Sequence, residues 1–369
     1  MPNTDVISFS RGAPSLDIVD TEGLKAAAAA AIDTDPARVT GYGTSVGYPP
    51  LREWIAAKHE VEPENVLVTN GSMQADAFLF DDLVEAGSPV IVERPTYDRT
   101  LLGLRQRRGE LHPVTVQADG LDVDELEGVL KGGVRPSLAH IIPNFQNPAG
   151  VTLSGEKRRR LLALADEYDF TIFEDDPYLD IRFRGEQFPT MLSETGLTKD
   201  GAGRVVYASS FSKTVCPGLR TGYLVGPADL IGRIAKAATN TYIAPNMFAQ
   251  ATIHQFAQSG ALDRSIATVK AALEERVDQL SASLRAHLPN ARFVVPDGGY
   301  FLWVDLGEGV DCAKVAAAAA EEGVQVVKGT DFVVDGGESC LRLAYSAVQA
   351  DRIDEGVRRL AKAVETTRG

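Results

Sequence analysis

The amino-acid sequence predicts an α/β protein in which a large domain, built on a mostly parallel sheet flanked by helices, precedes a smaller α+β C-terminal domain. Between residues 65 and 227, apolar runs bounded by turn residues alternate with segments of helical periodicity. This is the βαβα pattern of a parallel sheet covered on both faces. An Ala-rich, charged helical stretch at 247–288 then leads into a region where apolar runs mix with helices. The chain has 369 residues, 44% of them hydrophobic, and can therefore bury a sizeable core.

The predicted strands of the large domain alternate at first with helices. The first three strands are "NVLVTN", "PVIVER" and "AHIIPNF", which precede helices predicted at 72–86, 97–106 and 154–169. "FTIFEDD", "RVVYASS" and "GYLVGP" continue the sheet. In the C-terminal part, "ARFVVPDGGYFLWVDL", "VQVVKG" and "CLRLAYS" indicate strands, and helices are predicted at 311–322 and from residue 349 onward.

Composition excludes several classes of function. The net charge of -14 repels phosphate backbones, so we expect no nucleic-acid partner. Five histidines and three cysteines are scattered without the spacing of a metal site or a disulfide framework, so we expect no metal. The sequence lacks both an apolar run of membrane-spanning length and a signal-peptide pattern at its start. We therefore expect a cytoplasmic enzyme without a membrane partner.

Lys213 is the first candidate for chemistry. It stands in "SSFSKTV", just after the apolar run "VVY". Ligands bind at strand ends in open α/β sheets, and a lysine desolvated there becomes a nucleophilic amine that forms Schiff bases. Such a lysine can also be merely exposed, so its neighbourhood has to decide.

An acidic cluster in "FEDDPYLD", which includes Asp175, ends another predicted strand. Buried carboxylates need a partner, and no histidine accompanies this cluster to complete a metal site. A protonated ring nitrogen of an organic cofactor suits a lone carboxylate. Pyridoxal phosphate requires an Asp that pairs with its pyridinium nitrogen and a Lys that reacts with its aldehyde.

A phosphate group also has a candidate site in "TNGSMQADAF". A strand ends there, a glycine permits a tight turn, and Ser72 begins a helix whose free N–H groups attract anions. Ser210, Ser212 and Arg220 supply further donors. An ordinary helix N-cap is the alternative explanation of Ser72.

Four further residues have both a structural and a functional interpretation. Tyr97 in "RPTYDRT" either packs in the core or stacks on a flat heterocycle. Asn147 in "PNFQNPAG" and Tyr178 can donate hydrogen bonds to a phenolate oxygen. Arg342 in "CLRLAYS" is either salt-bridged or a bidentate partner for a substrate carboxylate.

Taken together, these segments resemble the class I/II aminotransferases of pyridoxal-phosphate fold type I. The likeness is greatest to the branch that includes 2-aminoadipate aminotransferases and the aminotransferase-like domains of MocR-type regulators. The resemblance covers nearly the whole chain, from "GYGTSVGYPPLREWIA" through "GSMQADAF", "ERPTY", "PNFQNPAG", "EDDPY" and "SFSKTVCPGLRTGY" to "CLRLAYS". It implies a large domain with a seven-stranded type of sheet and an enzyme that exchanges an amino group between an L-α-amino acid and a 2-oxo acid.

The resemblance also implies roles for single residues. Lys213 forms the aldimine with the cofactor, Asp175 holds the pyridinium nitrogen, and Tyr178 with Asn147 contacts the phenolate oxygen. Tyr97 stacks on the ring, and Arg342, with Asn147 beside it, binds the substrate α-carboxylate. The phosphate is held by a set of helix-start, hydroxyl and cationic residues: Ser72, Met73, Gln74, Ser210, Ser212 and Arg220. Tyr42 reaches the phosphate of the partner subunit, which implies a homodimer with shared active sites.

The N-terminal segment and the domain boundaries follow from the same resemblance. Arg11 and Ala13 lie by the substrate entrance, where Arg11 either binds a distal carboxylate or points to solvent. Residues 1–40 form an N-terminal arm that contributes to the small domain and the entrance, 41–250 the cofactor-binding domain, and 251–369 the small domain. The amino donor, the keto acid acceptor and the pathway within amino acid metabolism stay open.

Three alternatives compete with transamination. The same cofactor arrangement serves β-lyases, decarboxylases and oxidases that act on amino acids. "SFSK" also fits the S-x-x-K pattern of serine acyl-enzymes, but a K-T-G strand in the right order is missing. A MocR-type regulator needs a DNA-binding region before the aminotransferase-like part, and only about 40 residues precede "GYGTSVGY" here.

Overall fold

A large mixed sheet forms the centre of the protein in a computed structural model that describes residues 5–195 and 203–368. The strands of these residues, in chain order, are β1 Ile7–Ser8, β2 Val66–Thr69, β3 Pro89–Arg94, β4 Glu110–Gln117, β5 Gly120–Leu121, β6 Leu138–Ile141, β7 Thr171–Asp175, β8 Val205–Ser210, β9 Gly222–Val225, β10 Phe301–Asp305, β11 Val324–Gln325, β12 Val327–Lys328 and β13 Cys340–Ala344. The large sheet has the order β2-β9-β8-β7-β6-β3-β4-β5.

The middle of the large sheet is parallel, as predicted. β8, β7, β6, β3 and β4 pair in parallel, whereas β9 runs antiparallel to both of its neighbours, β2 and β8. Seven of these strands are four to eight residues long, and the two-residue β5 adds a short antiparallel edge. The carboxyl ends of β3, β6, β7 and β8 therefore lie side by side.

Helices connect and cover these strands. In the described residues they are α1 Thr21–Thr34, α2 Pro36–Thr40, α3 Pro49–His59, α4 Ser72–Leu83, α5 Asp98–Gln106, α6 Val123–Lys131, α7 Gly155–Tyr168, α8 Met191–Thr195, α9 Ala228–Tyr242, α10 Met247–Gln258, α11 Ala261–His287, α12 Cys312–Glu321 and α13 Ala350–Arg368. The helical stretch predicted at 247–288 consists of two helices, α10 and α11. Gly260 breaks it, because this residue adopts a left-handed conformation with φ of 71°.

The C-terminal part contains two small sheets. β10, β13 and β12 form an antiparallel sheet, and β11 pairs instead with β1 from the N-terminus. The segment "VQVVKG" is thus shared between two sheets, which its sequence alone did not indicate. Only residues 301–305 of the long run predicted at 291–306 form a regular strand.

Three clusters of buried apolar side chains make up the core. Two of them pack on the faces of the large sheet, and the third joins α11, α13 and the small sheets to Ile7 and Phe9 of the N-terminal segment. No helix among the described residues combines the length and apolar character needed to cross a membrane.

Candidate active site

A cavity of about 310 Å³ opens at the carboxyl ends of the parallel strands. This is where ligands bind in open α/β sheets, because loops and helix starts converge there. Among the residues that line it are eleven predicted from the sequence: Ser72, Met73, Tyr97, Asn147, Asp175, Tyr178, Ser210, Ser212, Lys213, Arg220 and Arg342. Residues from the start of α4, from the ends of β7 and β8, from the loops that follow β3, β6, β7 and β8, and from β13 are therefore brought together in one site.

Lys213 lies three residues beyond the end of β8. Its Nζ donates a hydrogen bond of 2.6 Å to the carbonyl oxygen of Gly12 and lies 5.0 Å from the centre of the Tyr300 ring. Burial lowers the pKa of Lys213 to about 8, and the positive charges of Arg342 and Arg220 act in the same direction. At neutral pH a larger fraction of this amine is uncharged than in an ordinary lysine, as a nucleophile requires.

Asp175 is the last residue of β7 and is buried. Its Oδ2 lies 3.4 Å from Nε2 of the fully buried His140. Its Oδ1 has no hydrogen-bond partner among the described residues although it is buried. A buried carboxylate oxygen that faces a cavity without a partner fits a ligand N–H. His140 is one of the scattered histidines without metal-ligand spacing, and no local sequence pattern indicates its contact with Asp175.

The start of α4 and the loop after β8 form an anion cradle. Ser210 Oγ and Ser212 Oγ are 2.9 Å apart, and Arg220 Nη1 donates to Ser212 Oγ at 3.4 Å. Gly71 has φ of 88° and ψ of 160°, a conformation that is essentially restricted to glycine. A Cβ atom at Gly71 would overlap the Arg220 guanidinium, so glycine allows that group to reach the helix start.

Arg342 projects from the middle of β13 between two aromatic rings. Its guanidinium carbon lies 4.4 Å from the centre of Phe301 and 4.7 Å from that of Phe332. It donates to Asn147 Oδ1 at 3.3 Å and to the carbonyl of Ser10 at 2.7 Å, and its Nε has no hydrogen-bond partner among the described residues. This fixed, partly unsatisfied fork suits a carboxylate.

Two tyrosines complete the walls. Burial raises the pKa of Tyr97 to about 12, and burial also raises the pKa of Tyr178 well above its ordinary value. Both phenols therefore stay protonated at neutral pH. Tyr97 immediately precedes α5, and Tyr178 lies three residues beyond Asp175.

Four predicted residues do not line this cavity. Gln74 points elsewhere, since its Oε1 accepts a hydrogen bond of 2.9 Å from the Asn70 amide. Tyr42 is 91% exposed. Ala13 does not line the cavity, although its neighbour Gly12 does. Arg11 lines a second cavity together with residues of the N-terminal segment and of 347–352.

Several residues of the wall were not singled out from the sequence. Gly12, Ile142, Pro177 and Phe301 are small or apolar and gave no chemical signal. Asp98 and Arg99 also line the cavity. They directly follow Tyr97 in "RPTYDRT", so the motif that was examined already contained them.

These side chains fit pyridoxal phosphate. The unpartnered Asp175 Oδ1 suits a ring N–H, Lys213 suits an aldehyde, and the cradle around Arg220 suits a phosphate. The two ends of the cofactor thus find complementary groups within a single cavity.

Comparison with known proteins agrees with this geometry. The family model "Aminotransferase class I and II" matches residues 4–360. Aromatic-amino-acid aminotransferase 1 of Thermococcus litoralis is 30% identical, over 98% of this chain and 88% of its own. The 2-aminoadipate transaminase of Thermus thermophilus is 32% identical, over 98% and 90%.

A solved structure is similar throughout. The α-aminoadipate aminotransferase LysN of Thermus thermophilus, crystallised with N-(5'-phosphopyridoxyl)-L-leucine, superposes with a TM-score of 0.92 at 31% identity. The alignment covers 98% of this chain and 92% of LysN.

Proposed function

The chain belongs to the class I and II aminotransferases and uses pyridoxal phosphate for transamination; from this premise we propose that Lys213 is its catalytic amine. The cofactor, when bound, supplies an aldehyde that takes up amino groups and a pyridinium ring that withdraws electrons. The observation that carries the proposal is one cavity that joins the half-buried Lys213 to the unpartnered Asp175 Oδ1 and to Arg342.

Lys213 performs two tasks in this proposal. With the cofactor bound, the uncharged Nζ of Lys213 would be the amine that holds its aldehyde group, and it would also be the base that takes a proton from the substrate Cα and returns it. The pKa of about 8, which burial lowers, suits both tasks because both require the uncharged amine.

Asp175, Tyr178 and Asn147 hold the cofactor ring. Asp175 Oδ1 accepts the ring N–H and keeps that nitrogen protonated, while His140 restrains the other carboxylate oxygen. Asn147 uses Oδ1 to accept from Arg342, so its Nδ2–H₂ group is the part that donates to the ring hydroxyl oxygen. The protonated Tyr178 is the second donor, and Tyr97 stacks on the ring face.

The phosphate and the substrate carboxylate have separate cationic sites. Arg220 with the hydroxyls of Ser72, Ser210 and Ser212 binds the phosphate, aided by backbone N–H groups at the start of α4, from Ser72 to Gln74. Met73, which is about half exposed, contributes only its backbone. Arg342 binds the α-carboxylate, because its Nε is buried and unsatisfied. Roles for Arg11 and Ala13 in substrate binding stay predictions.

We also propose a homodimer that acts in the cytoplasm, in amino acid biosynthesis. Tyr42 is 91% exposed, and the large apolar side chains of Ile243 and Phe248 are exposed as well. Exposed apolar groups of this size support a subunit contact through which Tyr42 of the partner subunit completes the phosphate site. Size-exclusion chromatography with light scattering tests the dimer, and cell fractionation tests the location.

The domain division is proposed as predicted, with an arm at 1–40, a cofactor-binding domain at 41–250 and a small domain at 251–369. The separate apolar cluster that joins α11, α13 and the N-terminal Ile7 and Phe9 supports it. Limited proteolysis with mapping of the first cleavage sites tests these boundaries.

Borohydride reduction tests the central assignment. Peptide mapping of the reduced holoenzyme is expected to find the pyridoxyl adduct on Lys213, and Lys213→Ala is expected to carry no adduct and to lose turnover. Lys236→Ala removes an exposed lysine and is the matched control, with adduct and turnover retained. An adduct elsewhere, or turnover at the normal rate in Lys213→Ala, contradicts the assignment.

A half-reaction separates transamination from lyase, decarboxylase and oxidase chemistry. An amino acid is expected to convert the visible absorption band of the cofactor to that of its aminated form, and a keto acid alone is expected to restore it. Release of ammonia, carbon dioxide or peroxide instead identifies one of the other reactions.

A further inference from the structure

Two charged residues of the cavity wall have no part in the chemistry above. The charged residues that line the cavity are Asp98, Arg99, Asp175, Lys213, Arg220 and Arg342. The last four contact the cofactor or the substrate α-carboxylate in the proposed function, on which this inference rests. Asp98 and Arg99 remain, and both are carried by the first turn of α5.

These two residues form an adjustable ion pair. Arg99 Nε lies 3.4 Å from Asp98 Oδ2, and the two side chains are 53% and 31% exposed. An exposed pair of this kind is weak because water screens both charges, so Arg99 can leave Asp98 for a better partner. Arg99 is therefore a partly exposed cation of the cavity wall that no strong ion pair holds in place.

The pair lies where the substrate side chain must go. Asp98 and Arg99 line the same cavity as Arg342, the proposed α-carboxylate site, and Tyr97, the proposed wall of the cofactor ring. With its carboxylate on Arg342 and its amine near Lys213, a substrate has one substituent left. That side chain shares the cavity with Asp98 and Arg99.

We propose that Arg99 binds the distal carboxylate of dicarboxylic substrates, amino acids and 2-oxo acids with a second carboxylate at the end of the side chain. The planar guanidinium takes a carboxylate in bidentate fashion. When the side chain carries no charge, Arg99 returns to Asp98. A transaminase binds its amino donor and its keto acid acceptor in turn in the same cavity. An arginine that can change partners therefore lets the cavity accept a dicarboxylic substrate and a substrate with an uncharged side chain alternately.

Asp98 makes the selection depend on Arg99. Without the arginine, its carboxylate repels a second negative charge from the cavity mouth. Removal of Arg99 is therefore expected to weaken binding of dicarboxylic substrates for two reasons. The attraction by the guanidinium is lost, and the negative charge of Asp98 is no longer compensated.

The test compares two acceptors of similar length, 2-oxoglutarate and 2-oxohexanoate. The measured quantity is the ratio of their kcat/KM values for the aminated holoenzyme. Arg99→Gln is expected to lower this ratio about tenfold or more, and Asp98→Asn is expected to raise it. Arg105→Gln is the matched control, since it removes the same charge from an exposed position of the same helix and is expected to keep the wild-type ratio.

A binding measurement supports the kinetics independently of turnover. Glutarate, which cannot react, is titrated into the holoenzyme while the absorption of the bound cofactor is followed. Its affinity is expected to fall about tenfold in Arg99→Gln and less in Arg99→Lys, which keeps the charge but lacks the fork.

The outcomes are distinct. A ratio within twofold of wild type in Arg99→Gln, or an equal decrease in Arg105→Gln, overturns the role of Arg99 while transamination itself persists. If no amino acid changes the cofactor absorption of the wild-type enzyme, the proposed function fails instead.

Discussion

Gly71 gives the sharpest test of the anion cradle. It precedes α4 with φ of 88° and ψ of 160°, and a Cβ atom there would overlap the guanidinium of Arg220. Gly71→Ala is therefore expected to act twice: it strains the backbone and displaces Arg220 from the helix start. The flexible arginine yields more easily than the surrounding backbone, so the protein folds while the cradle is damaged.

The two effects have separate magnitudes. An alanine in this glycine-only conformation lowers the free energy of unfolding by about 1–3 kcal/mol. A hydrogen bond to a charged group is worth about 1.5–3 kcal/mol. Loss of the Arg220 contact with phosphate is therefore expected to weaken binding of pyridoxal phosphate by about 10- to 150-fold.

Gly87 provides the matched control. Its φ is 86°, and no atom lies within 4 Å of the position a Cβ would take. Gly87→Ala therefore strains the backbone without displacing any side chain. Both variants are titrated with pyridoxal phosphate by absorbance and unfolded in denaturant. The reasoning is refuted if Gly71→Ala binds the cofactor within twofold of wild type, or if Gly87→Ala weakens binding as much.

Two further substitutions test other parts of the site, and a third tests a buried carboxyl group outside it. Asp175→Asn keeps the shape beside His140 but removes the negative charge that stabilises the protonated nitrogen of the cofactor ring. The kcat is therefore expected to fall about 100-fold or more, while the cofactor content, measured by absorbance, is retained. Arg342→Ala removes the α-carboxylate fork, so kcat/KM is expected to fall about 10- to 150-fold, mainly through KM, with partial rescue in Arg342→Lys; a fall in kcat alone would contradict this. Burial raises the pKa of Glu93 from 4.5 to about 8. Between pH 4.5 and pH 8 the folded protein therefore keeps a proton on Glu93 that the unfolded chain has released. The stability contributed by this group consequently falls as pH rises from 4.5 to 8. Denaturant unfolding at pH 5 and pH 8 is expected to show a smaller difference for Glu93→Gln than for wild type, and an unchanged difference would argue against a protonated Glu93.

Sequence reasoning was most successful where chemistry coincides with the end of a strand. Lys213, Asp175 and Tyr97 each follow an apolar run closely, and the parallel order of β3, β6, β7 and β8 brings those ends to one edge. A local pattern predicts each strand, and the geometry of a parallel sheet brings the residues at the strand ends into one cavity although they are far apart in sequence.

Other features depend on partners that no local pattern reveals. The dipeptides of β11 and β12 are separated only by Val326, yet they pair with β1 and β13 in different sheets. Gly260 lies in a strongly periodic helical segment, so its left-handed conformation was not anticipated. β4 was not predicted, because Pro113 and polar residues interrupt its apolar pattern.

The N-terminal segment gives the active site a roof without supplying a reactive group. β1 is joined to β11, and just beyond it the carbonyl oxygens of Ser10 and Gly12 accept hydrogen bonds from Arg342 and Lys213. Shortening the chain by a dozen residues would leave Lys213 and Arg342 in the chain but remove the two carbonyl groups that accept their hydrogen bonds. In protein engineering, tags and fusions therefore belong at the other terminus.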